Sequence, residues 1–236
     1  MPSVISLFDD SGNRMAPWLE AGFDVWVVDI LNPVAGEHAG RLHRVHADLT
    51  KPFLSPVPRE DIRFVSAHPP CEHLAVSGAR WFKGKGLRAL AHSIEMFATA
   101  AEFADWSGAP FMIENPVSTI STYWRKSDHG YQPYEYSGFD PRDSYTKHTR
   151  LWTGGGFVMP PPNIHPMVEA AIDVVVKACG RMVVKRKALE KLGRNQLVED
   201  WYPDDRIHAC PPGEMRAYVR SVTPAGFGRA VFESNC

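Results

Sequence analysis

Short apolar runs bounded by turn residues punctuate the first half of the chain. Val4–Phe8, Val25–Ile30, Arg63–Ala67 and Pro110–Glu114 are β-branched or aromatic-rich, and Asp, Gly, Pro or Asn flank them, which predicts four buried strands. Between the last two, apolar residues recur at Leu87, Leu90, Ala91, Ile94, Phe97, Ala98 and Ala101. That spacing predicts a helix over Leu87–Trp106 covering a sheet, ended by Gly108 and Pro110. Strands separated by helical segments predict an α/β fold with a doubly wound, mainly parallel sheet, whose ligands sit at the carboxyl ends of the strands.

After residue 120 the pattern changes. Tyr123–Tyr145 is rich in Tyr, Asp, Gly and Pro and reads as irregular surface. Lys147–Phe157 returns as a strand, Met159–Asn163 reads as a linker, and Val219–Phe232 is apolar enough to be buried. From Lys177 to Arg194 there are seven basic residues against one acid, Glu190. The expected organisation is a core over 1–157, a small basic region over 158–212 and a C-terminal segment, 213–236, packing back on the core.

The 236 residues suit one well-buried domain with a small appended lobe, and 44% hydrophobic with 22% charged residues is ordinary for a globular protein. A formal charge of −1 gives no global pull toward nucleic acid or membrane, so any such surface must come from local segregation of charge. Apolar runs are far too short to span a bilayer, and the N-terminus has no basic region typical of a signal peptide. Cys71, Cys179, Cys210 and Cys236 are widely spaced, so neither a disulfide framework nor a zinc knuckle is expected, and the cytoplasm is the expected location. His38, His43 and His46 read as scattered surface histidines rather than metal ligands.

Two strand ends carry candidate chemistry. Pro69-Pro70-Cys71-Glu72 closes one strand and Glu114-Asn115-Pro116 another. A thiol after two prolines has a restrained backbone, so its sulfur direction is set at low entropic cost. Flanking His68 and His73 favour the thiolate, the form that attacks. A carboxylate at the end of an apolar strand, as at Glu114, is desolvated, which favours its protonated form and suits it to share a proton with a ring nitrogen. The alternatives are a structural cysteine and a capping or ion-paired glutamate. Asn115 is expected to pin the loop. At the other end, Asp9-Asp10-Ser11-Gly12-Asn13 follows the first strand, and Asp29 ends the second, seventeen residues after Gly12. A turn followed by an acid at that separation suits an adenosine whose ribose hydroxyls bind the carboxylate, and Asp48 is within reach of an adenine amino group. Asp9 and Asp10 would repel a phosphate, so cationic S-adenosylmethionine fits better; an ordinary capped strand–turn–helix is the alternative.

These residues resemble the DNA cytosine-5 methyltransferase family, in order through most of the chain, and compact phage-like members are the most similar. Leu7-Phe8 with Gly12 is similar to the first motif, Pro69-Pro70-Cys71 and Glu114-Asn115 to the two catalytic motifs, Lys147-His148-Thr149-Arg150 to an arginine-bearing strand, and Ser221-Val222-Thr223-Pro224 to the last motif. His68 stands where the family commonly has glycine, and Glu72 where it has glutamine. The resemblance implies a Rossmann-like S-adenosylmethionine-dependent fold with a small target-recognition lobe, acting on duplex DNA as a monomer, without a metal. It implies that Cys71 adds to C6 of a flipped cytosine, that Glu114 holds N3, and that Arg150 contacts the base O2 or the neighbouring backbone. Cofactor contacts are implied at Phe8, Asp9, Gly12, Asp29, Ile30, Asp48, Pro69, Ser221 and Val222. DNA contacts are expected at Ser77, Lys147, Thr149, Lys185, Arg186 and Lys187, with a recognition sequence of a few base pairs. The same chemistry on RNA or a free cytidine nucleotide, an inactive DNA-binding protein of this shape, and a thiol hydrolase using a Cys–His pair stay open.

Overall fold

The computed structural model describes residues 1–51, 53–211 and 222–236. Its eight strands are β1 (Ser3–Leu7), β2 (Asp24–Asp29), β3 (Glu37–Ala39), β4 (Leu42–His46), β5 (Ile62–Ala67), β6 (Phe111–Pro116), β7 (His129–Tyr131) and β8 (Thr149–Gly154). They form one sheet in the order β3-β4-β2-β1-β5-β6-β8-β7. The neighbours β4, β2, β1, β5 and β6 run parallel, while β3 is antiparallel to β4 and β8 to β6. The chain is therefore α/β with a mainly parallel sheet. Strand order runs outward from β1 in both directions, so the order reverses between β1 and β5, where ligands bind in open α/β sheets.

All four predicted strands and the predicted helix form, each within a few residues of its expected bounds. Periodicity alone did not show β3, β4 and β7, which are short and leave most of their side chains partly or fully exposed. His43 on β4 stacks on Trp26 and its Nε2 lies 3.1 Å from Asp24 Oδ1, so the histidine-rich segment is an edge hairpin.

The chain folds into two compact units. The first comprises Met1–Gly130, Thr149–Met159 and Phe232–Cys236. Its helices are α1 (Ala16–Glu20), α2 (Phe82–Ser107) and α3 (Ile120–Tyr123). On α2, Phe97, Ala100, Ala101, Phe103 and Ala104 bury one stripe against Val65, Ala67, Phe111, Ile113 and Trp152 of the sheet. Full burial of a side chain such as Phe97 contributes roughly 2–3 kcal/mol. The helical signal extends five residues before its predicted start, across a break at Gly86 (φ 79°, ψ 173°). The other sheet face packs Trp18 of α1 on Phe64, stacked at 5.0 Å.

The second unit comprises Tyr131–His148 and Pro160–Val231. It holds α4 (Pro166–Cys179), α5 (Lys185–Leu192), α6 (Gln196–Trp201) and α7 (Arg206–Ala209), together with the first turns of α8 (Ala225–Asn235). Ala171, Val175, Ala188, Val198 and Tyr202 form a small core. The expectation of irregular surface over Tyr123–Tyr145 is corrected here: Tyr131, Tyr136 and Tyr145 are buried. Tyr131 stacks on Phe227 at 3.7 Å, and the Tyr136 hydroxyl donates to the Pro160 carbonyl at 2.9 Å. The Tyr136 hydroxyl finds a buried partner, and an aromatic, turn-rich segment becomes core although only its β7 end is a strand.

Candidate active site

The carboxyl rim of β4, β2, β1 and β5 collects most of the residues expected to hold a cofactor. The loop leaving β1 is built around Asp9, which is buried and accepts from Ser6 Oγ, Ser11 N and Oγ, and Gly12 N at 2.8–3.1 Å. Burial opposes its charge, but Arg14 and these donors hold the carboxyl below its usual range. Asp9 is thus spent on shaping the loop. Phe8 has a left-handed backbone (φ 57°), unusual for a side chain of its size and a local strain of the kind that concentrates at functional positions. Gly12 is also left-handed (φ 71°), and a Cβ there would press on Leu42 and Val27 at 3.3 Å.

Asp29 accepts from Leu31 N through Oδ1 at 2.9 Å. Burial, seconded by the charges of Asp10 and Asp9, raises its pKa. Ile30 stands exposed beside it. Asp48 is engaged by Thr50, whose hydroxyl donates at 2.6 Å, and by Lys51 at 2.9 Å; the Thr50 hydrogen bond foremost, then Lys51, holds its pKa at about 2. Pro69 is buried where β5 ends. Ser221 lies outside the described residues, and Val222, in the second unit, accepts from Lys147 Nζ at 3.1 Å. Among the described residues no cluster of three His, Cys, Asp or Glu is arranged for a metal.

The chemical end lies one strand further. β5 and β6 are adjacent and parallel, with Ala67 paired to Ile113, so the next residues, His68 and Glu114, come side by side. Asn115 Nδ2 donates to the Pro69 carbonyl at 3.0 Å. Beyond it, Leu74 N and Ala75 N donate to the Cys71 carbonyl at 3.0 and 2.8 Å, and Ala75 bridges Ser118. The cysteine loop is therefore clamped to the loop after β6 on both sides of Cys71. Cys71 is half-buried and Glu114 is 7% exposed. A cavity of about 380 Å³ opens beside this loop, lined by His73, Phe82, Lys85, Leu87, Thr119 and Tyr123. Ser77 lies exposed on the same loop.

The histidines do not act as their sequence positions suggested. His68 Nδ1 lies 3.3 Å from Glu114 Oε2 and its Nε2 2.7 Å from Ser66 Oγ, so both ring nitrogens are engaged away from the thiol. Residues 66 and 68 share one sheet face by strand alternation, which is the signal sequence reading passed over. His73 Nε2 pairs with Glu72 Oε1 at 2.9 Å.

Arg150 lies across from Asn115 in the β6–β8 register, while Leu151 lies across from Glu114. Directly opposed residues share a face, so Arg150 projects from the opposite face to Glu114. It lines a second cleft of about 300 Å³ with Ser118, Ser121, Lys126 and Ser127. Neither Lys126 nor Arg150 forms an ion pair among the described residues, and nearby Asp128 is taken by Arg125 at 2.5 Å. Two uncompensated cations among three hydroxyls suit an anion, and none of the four partners of Arg150 stood out in the sequence.

Other residues expected at nucleic acid are dispersed. Thr149 is buried at 1% exposure. In the second unit, α5 turns Ala188 inward and keeps Arg186 and Lys187 exposed, with Lys185 half-buried and Arg186 paired to Glu190 at 2.5 Å. No protein-family model matches the chain, and no curated protein is significantly similar to it.

Proposed function

We propose that this protein is a DNA cytosine-5 methyltransferase with a Rossmann-like core. The observation that carries the reading is the clamp that holds the Pro69-Pro70-Cys71 loop to the Glu114-Asn115 strand end through Asn115 Nδ2 and the Pro69 carbonyl. It ties the loop after β5 that bears a half-buried thiol to the end of β6 that bears a buried carboxyl, at the rim where ligands bind in open α/β sheets.

S-adenosylmethionine fits the residues present. The left-handed turn at Phe8 and Gly12, the half-buried carboxyl of Asp29 and the exposed Ile30 would hold its adenosine, and the acids Asp10 and Asp29 favour a cation over a phosphate. When bound it supplies an electrophilic methyl group. Cys71 thiolate adds to C6; the C5–C6 π pair shifts through the ring toward N3, which takes a proton from Glu114. C5 becomes nucleophilic. After methylation, loss of the C5 proton to water, expulsion of Cys71 as thiolate and return of the N3 proton to Glu114 restore the ring and the protein. A cytosine in a duplex must leave the stack for this, at a cost of a few kcal/mol. The cleft at Lys126 and Arg150 supports phosphate contacts that offset it.

The test is transfer of tritium from labelled S-adenosylmethionine to duplex DNA, RNA or dCMP, with a Cys71→Ser variant alongside. Label on DNA cytosine that vanishes in the variant is the expected result. Label on RNA or dCMP moves the substrate, and no label on any of them overturns the activity. DNA bearing 5-fluorocytosine should form a covalent complex with the parent protein and not with Cys71→Ser.

A further inference from the structure

A second surface of the first unit lies outside the methyl-transfer chemistry. From His73 to Ile94 the chain carries four cations, Arg80, Lys83, Lys85 and Arg88, and no acid, in a protein of formal charge −1. None of the four forms an ion pair among the described residues. Lys83 and Lys85 line the cavity of about 380 Å³ together with Phe82, Leu87, Leu90 and Tyr123. On an unbroken helix Phe82 and Leu87 would point roughly 140° apart. The break at Gly86 (φ 79°, ψ 173°) brings both to one cavity. Leu87 and Tyr123 are 84% and 62% exposed, and apolar surface gathered at one place in this way marks a binding site. Lys85 Nζ donates to the Glu72 carbonyl at 2.5 Å, so the cationic rim stands against the Cys71 loop.

We infer that this cavity takes an unpaired nucleobase of a polynucleotide strand, with Phe82 and Tyr123 against its ring and Lys83 and Lys85 on its phosphates. Aromatic walls inside a cationic groove hold strands without regard to sequence, because every base has a flat apolar face and every nucleotide a charge. An acyl chain would also fill apolar walls. However, His73 and Thr119 of the same wall each carry a buried polar atom, Nδ1 and Oγ1, with no hydrogen-bond partner among the described residues. Buried groups of that kind are costly to leave unpaired, and a base edge carries the donors and acceptors that an acyl chain lacks. Among the described residues neither Cys71 nor Glu114 lines the cavity, so its occupant is not the base that reacts. Its identity as a neighbour of the target cytosine rests on the proposed function; the binding itself does not.

The test is fluorescence anisotropy of labelled oligo(dT) and oligo(rU) on the full chain, with dCMP and inorganic phosphate as competitors. Neither strand contains cytosine, so binding is read independently of methyl acceptance. Tyr123→Ala should weaken the tighter of the two strands roughly 5–150-fold, the range spanned by stacking of one base, while Tyr123→Phe should bind as the parent does. The double variant Lys83→Ala/Lys85→Ala should lower the log–log salt slope by about 1.4, the loss of two phosphate contacts on a single strand. These side chains are exposed or half-buried, and circular dichroism melts should match the parent. Parental affinity in Tyr123→Ala, or a parental slope in the double variant, would overturn the inference. So would competition by dCMP or phosphate as strong, per phosphate, as that of the strands, or binding of phosphatidylserine vesicles without binding of either strand. If the parent transfers no methyl group yet holds a strand in this way, the functional reading fails and the nucleobase site stands.

Discussion

At the scale of single residues, the site depends on side chains that serve the backbone of a neighbouring loop. Asn115 is 2% exposed and donates to the carbonyl of Pro69, a residue that has no amide of its own to help anchor the loop. Asn115→Ala leaves that carbonyl without its donor at a buried position, so it should destabilise the protein by about 1–3 kcal/mol in urea denaturation. It should also lower kcat of methyl transfer more than the stability loss explains at temperatures where the variant is folded, because the Cys71 loop loses its tie to Glu114. An Asn115→Ala protein with parental kcat would show that the clamp does not govern the chemistry. Sequence reading singled out Asn115 as a pin of the loop, and the structure gives the pin its partner, the Pro69 carbonyl. It assigned His68 to the thiol instead, because sequence adjacency to Cys71 was visible and pairing with Glu114, forty-six positions away, was not.

At the scale of elements, the second unit hangs one helix start on a buried acid. Asp143, in a 3₁₀ turn, accepts from Gly226 N in the first turn of α8 at 2.7 Å. Burial foremost, with the charge of Asp140, raises its pKa to about 6. The folded state then binds more protons than the unfolded chain between about pH 4 and 6, so this group's contribution is fully present below pH 4 and is lost as pH rises through 6. Asp143→Asn keeps an acceptor for Gly226 N and removes the charge. Its stability relative to the parent should rise between pH 4 and pH 7 by on the order of 2–3 kcal/mol, read from denaturation midpoints at each pH. A difference that stays flat across that range would refute the buried-acid account. None of this was legible in the chain, where Asp143 stands among Tyr, Asp and Pro residues that read as surface. The long-period signals were legible: α2 and the parallel strands announce themselves because each buries a repeating apolar face.

At the scale of the whole molecule, a formal charge of −1 gives no net attraction to a polyanion, so binding must come from local cations. Lys126 and Arg150 line one cleft in the first unit, and α5 carries Lys185, Arg186, Lys187 and Lys191 in the second. Duplex DNA affinity should fall linearly in log–log form with salt, and Lys126→Ala should reduce the slope by roughly 1. Fluorescence anisotropy between 50 and 200 mM salt checks this, and a parental slope in the variant would remove Lys126 from the interface. Among the described residues no helix is long and apolar enough to cross a membrane.

The sequence by itself determined the alternation of buried strands and helices, the rim on which ligands belong, and the two strand ends that carry a thiol and a carboxyl. These are local or periodic features, written in runs of a few residues. Tertiary structure alone decided which polar groups share a face. It brought His68 beside Glu114, turned Arg150 into a cleft with Lys126 and buried Asp143 under α8. The reason is strand register and chain crossing: neighbours in a sheet are set by pairing between segments far apart in the chain, a one-residue change in that pairing would send Arg150 to the other face, and Asp143 meets a helix 83 positions away.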